Sequence, residues 1–421
     1  MAGSSSYEPK SALGRWFDQR LPVARLMHDN FISFPVPKNL NAWYVFGGIL
    51  AFMLALQFLT GIVLAMHYVP NAGLAFASVE QHIMREVNYG WLIRSLHATG
   101  ASMLFVAIYI HMARGLYYGS YKAPRELIWI LGVVLYILMM GTAFFGYTLP
   151  WGQTSFWGAT VITGLPSALD QVFPHFGTWL TTWLRGDYAV GNATLNRFFS
   201  LHYCIPFVIA GFIGLHVWAL HRQGNNNPLG VEPKGAEDSV AFHPRYTAKD
   251  AFYLVLFLII FLGFVFYAPD FFAYPSNFVP ADPLSTPSDI MPEWYMLPYY
   301  AMLRAVPNTL IGVLVLAAAL LTLFFVPWLD TSKVRSCRFR PVMQQLYWVL
   351  LADCILLGFV GYQSADATVH AGVIDLPLVW LARLGTLYYF AFFWVLMPWI
   401  GKNEVTLPVP ESIATAAKGD A

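Results

Sequence analysis

The chain has 421 residues, 57% hydrophobic and only 11% charged, with a formal net charge of +1. Soluble domains carry about 25% charged residues, so lipid is the expected solvent, and a near-neutral chain gives no basis for nucleic acid or another polyanion as partner. Cys204, Cys337 and Cys354 form neither a CxxC nor a CxxCH pattern, which excludes a zinc site, a disulfide framework, an iron–sulfur cluster and covalent haem.

In chain order, the first 26 residues are polar and mixed in charge, without the apolar core of a signal peptide. The chain is therefore expected to enter the membrane through its first span and keep it. Residues 11–25 suit an amphipathic helix lying at the interface. Eight apolar segments are long enough for a hydrocarbon core of about 30 Å, which takes about 20 helical residues. They fall near 42–67 (α1), 92–115 (α2), 127–148 (α3), 197–221 (α4), 250–270 (α5), 309–329 (α6), 343–363 (α7) and 379–400 (α8). The expected fold is all-α, a polytopic membrane protein of eight spans. It divides into an N-terminal segment (1–41), a first bundle (42–230), a second membrane domain (231–403) and a tail (404–421). Residues 1–9 and 404–421 read as disordered. The long loops 149–196 and 271–308 contain apolar stretches, which suggests short helices on the membrane surface.

Lys and Arg concentrate in the N-terminal segment and in the loops α2–α3, α4–α5 and α6–α7. With eight spans these all lie on one side, which the positive-inside rule makes the cytoplasm, together with both termini. The α5–α6 loop, on the other side, carries Asp270, Asp282, Asp289 and Glu293 with little positive charge.

The histidines carry the chemistry. His97 and His111 on α2 are 14 residues apart, and so are His202 and His216 on α4. That spacing advances a helix by about 21 Å and returns it to within about 40° of the same face. Both helices enter from the positive side, so His97 levels with His202 and His111 with His216. Two stacked imidazole pairs suit axial ligation of two haems in a four-helix bundle. A single membrane histidine is more often satisfied by backbone, and a proton relay is a third reading. The matched spacing and depth favour haem. Gly47 and Gly61 on α1, and Gly132 and Gly146 on α3, repeat the 14-residue interval in the opposite direction. This sets Gly61 and Gly146 level with the first pair, and Gly47 and Gly132 with the second. Glycine lets a flat macrocycle approach the backbone; close helix packing is the alternative. Arg94 and Arg114 each lie three residues from a histidine, at the membrane edges, where they would pair haem propionates or serve as flanking charge.

These motifs resemble a known family. LTGIVLAMHY (59–68), RSLHATGASMLFVAIYIHMARGLYYGSY (94–121), GYTLPWGQTSFWGATVITGLPSA (146–168), RFFSLHY (197–203), NNPLG (226–230), PEWY (292–295) and RFRPVMQQLYWVLLAD (338–353) are similar to cytochrome b, the central subunit of ubiquinol–cytochrome c oxidoreductase. The resemblance covers roughly residues 25–405. It implies that His97 and His202 hold a low-potential haem b, and His111 and His216 a high-potential one. Spacing 14 on α4 and continuation through α8 set the chain apart from the split photosynthetic relatives. The longer 171–192 stretch and extended tails point to a bacterial version in the inner membrane. The resemblance also implies a Rieske iron–sulfur protein, a cytochrome c-type subunit and a homodimer as partners, in a Q cycle coupled to proton translocation.

Two quinone sites are expected. At the positive side, Glu293 stands in an apolar loop beside Trp294 and Tyr295, where burial raises a carboxyl's pKa and suits it to accept a quinol proton. The resemblance assigns Tyr147 and Tyr300 to the same ubiquinol site, and segment 158–164 is a further candidate. At the cytoplasmic side, His221 faces away from the haem surface of α4 and would reach a ubiquinone carbonyl. His221 and Asp250 would deliver protons, Lys249 would feed them, and Asn225 lies in the loop between. Asp353, mid-way along α7, is expected to make a structural hydrogen bond. Pro206, four residues after His202, is expected to kink α4. The remaining histidines read as structural. Two rivals stay open on the residues alone: a haem-bearing anchor with one quinone site, and a transporter with a histidine relay.

Overall fold

A computed structural model describes residues 7–371 and 374–419. Among these, eight helices are long and apolar enough to cross a membrane: α1 Ala42–Ala65, α2 Gly90–Tyr117, α3 Glu126–Thr148, α4 Asn192–Gln223, α5 Arg245–Tyr267, α6 Thr309–Leu329, α7 Pro341–Tyr362 and α8 Leu378–Asn403. All eight expected spans are present. The largest boundary shifts are at α4 and α5, which each begin five residues early, at Asn192 and Arg245, and α4 runs unbroken past Pro206.

The helix ends follow from local chemistry. Asn308 caps α6 by accepting from the Ile311 amide at 3.0 Å. Pro341 opens α7, where its missing N–H costs nothing. The Glu404 carboxylate accepts from the free amides of Val342 and Met343 at 2.7 and 3.0 Å, an anion at a helix N-terminus. Gly90 starts α2 directly against the Ile83 carbonyl, an approach that leaves no room for a Cβ.

α1 packs along α2, and α3 along α4, so the first four spans form a bundle. Val45, Ile49 and Met53 of α1 meet Met103, Leu104 and Ala107 of α2 and Phe257, Phe261 and Val265 of α5 in one buried cluster. A second and larger cluster joins α2 and α3 to α6, α7, α8 and the segment around Tyr295. With aliphatic lipid outside, most large side chains on the outer faces stay exposed in the chain itself, Phe207 and Trp218 of α4 among them.

The N-terminal segment and the last described stretch lie at one end. Pro35–Pro37 pairs antiparallel with Ser239–Ala241 in the α4–α5 loop, and the Asp238 carboxylate accepts from the Ala414 amide at 2.8 Å. The last stretch is not a disordered tail: Leu407 bonds the Phe339 carbonyl, and Ile413–Gly419 is helical with Ile413 buried. Its order comes from tertiary partners, which a polar tail sequence does not display. The same end carries a buried ion cluster tying the two halves of the chain. The Asp330 carboxylate takes the Lys122 ammonium at 2.9 Å, the Arg340 guanidinium at 2.8 Å and the Tyr121 hydroxyl at 2.5 Å. Burial alone would push Asp330 up, but the two cations outweigh it and hold the carboxyl below its ordinary range.

The opposite end carries the two long loops. As expected they contain short helices: Gln153–Gly164 and Phe176–Arg185 between α3 and α4, and Leu297–Arg304 before α6. Asn277 locks the loops together, its side-chain oxygen accepting from the Ser155 amide and hydroxyl at 3.0 and 2.6 Å.

Candidate functional site

The four histidines meet in two pairs. The His97 and His202 ring centroids are 6.0 Å apart, and those of His111 and His216 6.5 Å. A histidine nitrogen binds a first-row metal at about 2.0 Å, so two imidazoles sharing one ion place their centroids about 6 Å apart. Each ring lies over a glycine of the neighbouring helix. A Cβ at Gly61 would stand 3.0 Å from His97, and one at Gly47 or Gly132 would stand 3.5 Å from His111 or His216. At Gly146 it would overlap the His202 ring. Every glycine therefore faces one histidine of the pair with which it is level.

The outer nitrogens settle two tautomers. His202 Nδ1 lies 2.8 Å from the Thr142 carbonyl, which can only accept. His97 Nδ1 lies 2.9 Å from Thr60 Oγ1, whose own proton is already donated to the Leu56 carbonyl at 2.7 Å. Both Nδ1 atoms are therefore protonated and both Nε2 lone pairs free, as in a metal-binding histidine whose outer nitrogen is held by an acceptor. At the other pair, His216 Nδ1 has no full partner. The Arg114 guanidinium approaches His111 Nδ1 at 3.3 Å and stacks on Tyr44 at 4.5 Å, while its own buried Nε is unpartnered. A buried guanidinium with an orphan donor lacks an anion, and a porphyrin carboxylate would supply one. The residues fit two bis-histidine haems.

One cavity of about 260 Å³ extends from the first pair toward the long loops. His97, His202, Gly61, Gly146 and Arg94 line one part, and Tyr147, Glu293 and Tyr295 another. Glu293 is 7% exposed, and its Oε1 has no hydrogen-bond partner. Burial raises its carboxyl to about 8. The Tyr147 hydroxyl is likewise buried and unpartnered. Tyr300 is not on this cavity: its hydroxyl donates to the Ile290 carbonyl at 3.0 Å and Arg304 covers its ring. Segment 158–164 also lies outside the lining.

At the terminal end, His221 is enclosed by the N-terminal segment. Its Nδ1 lies 2.9 Å from the Val217 carbonyl and its Nε2 3.1 Å from the Asn30 carbonyl, with Phe34 packed edge-on at 4.4 Å. Lys249 Nζ donates to the Leu40 carbonyl at 2.5 Å. The side-chain oxygen of Asn225 is buried without a partner. Asp250 approaches the Gly48 backbone, where an added Cβ would stand 3.7 Å from its carboxylate. His221, Lys249 and Asp250 thus lie around the start of α1 and the segment before it. Asp353 departs from expectation. It is buried against Gly385 and Leu357, and among the described residues its Oδ2 has no hydrogen-bond partner.

The sequence profile of the cytochrome b/b6/petB family matches residues 31–224, and that of the cytochrome b C-terminal/b6/petD family matches residues 280–390. Cytochrome b of Rhodospirillum rubrum is 52% identical over 401 residues, covering 95% of this chain and 96% of that one. Cytochrome b of Rickettsia conorii is 50% identical, covering 96% and 98%. The chain belongs to the cytochrome b family. A longer relative, cytochrome b/c1 of Bradyrhizobium diazoefficiens, is 53% identical over the whole of this chain, which spans 59% of that protein. Among solved structures, a chain of a hyperthermophilic respiratory complex III superimposes with a TM-score of 0.85 at 35% identity, covering 93% of this chain and 99% of that one. Together these make the protein a bacterial cytochrome b, an electron-transfer protein with eight candidate membrane spans, and membership of the family implies haem b binding.

For this cytochrome b, sequence reasoning missed Thr60 and Thr142, which orient two histidines. Their positions give a signal: Thr60 precedes Gly61, and Thr142 is one helical turn before Gly146. It also missed Thr154, whose hydroxyl meets Ser276 at 2.5 Å and fastens the Gln153–Gly164 helix beside the cavity.

Proposed function

We propose that the chain oxidises ubiquinol at the positive side and reduces ubiquinone at the cytoplasmic side, with two non-covalent b haems, held by His97/His202 and His111/His216, supplying one-electron transfer between the sites. One observation carries this reading: a single cavity joins the His97/His202 pair to the unpaired Glu293 carboxyl and Tyr147 phenol. A quinol there meets a proton acceptor and the first electron acceptor in the same space.

Glu293 takes a proton from a quinol hydroxyl. Its carboxyl at about 8 suits this task, since a base works best near the operating pH. Tyr147 orients the quinol, and Tyr300 supports the loop from behind through Ile290. Arg94 and Arg114 hold haem carboxylates, and Gly47, Gly61, Gly132 and Gly146 admit the flat rings. At the cytoplasmic side, His221 and Asn225 hold a quinone carbonyl once the Asn30 contact yields, and Lys249 and Asp250 bring protons. The resemblance adds a Rieske iron–sulfur protein, a cytochrome c-type subunit and a second copy of the chain as partners. It also adds the bacterial inner membrane as the site, and the Lys and Arg of the loops on the terminal side put both termini in the cytoplasm. Release of protons on one side and uptake on the other makes the cycle electrogenic.

The test is quinol-dependent reduction of cytochrome c by the purified haem-loaded complex. Sustained turnover is expected. A complex that holds its haems and transfers nothing from quinol would contradict the proposal.

A further inference from the structure

Three phenols form a polar chain inside the apolar bundle. Tyr136 Oη of α3 lies 3.0 Å from Tyr109 Oη of α2 and 3.3 Å from Tyr299 Oη of the Leu297–Arg304 helix. Tyr109 donates onward to the Tyr295 carbonyl. Phenylalanine would fill the same volume without the cost of burying a hydroxyl, so each hydroxyl here implies a needed partner. Their outlet is one backbone carbonyl, in the turn that carries Glu293.

That turn is gripped twice by α2. The Tyr295 ring stacks on Phe105 at 3.8 Å with an interplanar angle of 3°, and its carbonyl takes the Tyr109 hydroxyl. Phe105 and Tyr109 both stand between His97 and His111 on the same helix. The turn itself closes on Glu293, whose carbonyl accepts from the Met296 amide at 2.8 Å. Fixing the Tyr295 carbonyl therefore fixes where the Glu293 carboxyl stands relative to His97.

We propose that Tyr109, Tyr136 and Tyr299 are positioning residues for quinol oxidation, a hydrogen-bonded strut that sets the Glu293 turn against the haem-bearing helix. The inference rests on the proposed function. It assigns the three phenols no contact with quinol and no electron transfer of their own.

The experiment compares Tyr109→Phe with wild type in the intact complex, measuring KM, kcat, the pH profile of quinol oxidation and the haem spectrum. Loss of one hydrogen bond is expected to raise KM for quinol about fivefold, with kcat within about twofold and both haem signals intact. The acid limb of the profile should also move to lower pH, because a loosened turn admits water and lets the carboxyl fall from about 8. Tyr347→Phe is the control: it removes a hydroxyl bonded at 3.0 Å to the Ala113 carbonyl of α2, away from the turn, and should move neither quantity. A Tyr109→Phe complex with wild-type KM and pH profile would overturn the strut. If Tyr109→Phe loses haem through misfolding, Tyr299→Phe at the far end is measured the same way, and an unchanged KM and profile there overturns it equally. A wild-type complex inert toward quinol would instead remove the function on which the strut rests.

Discussion

His216→Ala is expected to lose one haem and keep the other, taking the chain from two haems to one. Two imidazoles 6.5 Å apart would hold one ring between them, and His97 with His202 stand a separate 6.0 Å apart at the other level. Removing His216 takes one of the two ligands of the His111 ring and leaves an empty volume over Gly132, while the Thr60 and Thr142 partners of the other pair are untouched. Haem extraction and a low-temperature difference spectrum of the variant check this. Loss of the other haem alone would overturn the pairing.

Glu293→Gln is expected to slow quinol oxidation about tenfold with both haem spectra unchanged. A lone positioned base contributes about 100-fold or more, but the unpaired Tyr147 phenol still faces the same cavity and softens the loss. The pH dependence is the sharper sign. With its carboxyl raised to about 8 by burial, Glu293 is a competent base only as pH climbs through that value, so wild-type turnover rises there. The glutamine variant has nothing to titrate, and the rise should vanish. Stability runs the other way. A buried carboxyl raised above its unfolded value is stable while protonated, so its contribution is full below the ordinary carboxylate range and is lost as pH rises through about 8. Glu293→Gln should therefore lose less stability than wild type between those limits, as thermal unfolding at two pH values would record. A haem lost in this variant, or an unaltered pH profile, would count against Glu293 as the base.

Much of the fold was legible because a bilayer leaves few choices. Each span needs an apolar helix, and eight runs of that length stood out between charged loops. The meeting of the histidines and glycines was legible because it obeys helical arithmetic: a 14-residue interval marks one face at two depths, on two pairs of antiparallel helices. What escaped depends on tertiary contact. Nothing local in Tyr136 or Tyr299 says that their hydroxyls meet Tyr109. Asp330 reads as a loop acid until Lys122 and Arg340, from distant loops, surround it. The tail beyond Glu404 has a disordered composition and is ordered by Asp238 and Phe339. Tyr300 follows PEWY closely but turns onto Ile290, because helix Leu297–Arg304 points it away from the cavity. At the terminal end, the sequence leaves His221 free to reach quinone, whereas in the fold its two ring nitrogens face the Val217 and Asn30 carbonyls. Asp353 was expected to find a partner simply because it is buried, and it has none for Oδ2.

The most direct measurement is a reduced-minus-oxidised visible spectrum of the purified protein with haem quantified per chain. Two non-covalent b-type haems per chain is the predicted result. One haem would break the pairing of His97 with His202 and His111 with His216, and none in folded protein would contradict the electron-transfer account altogether.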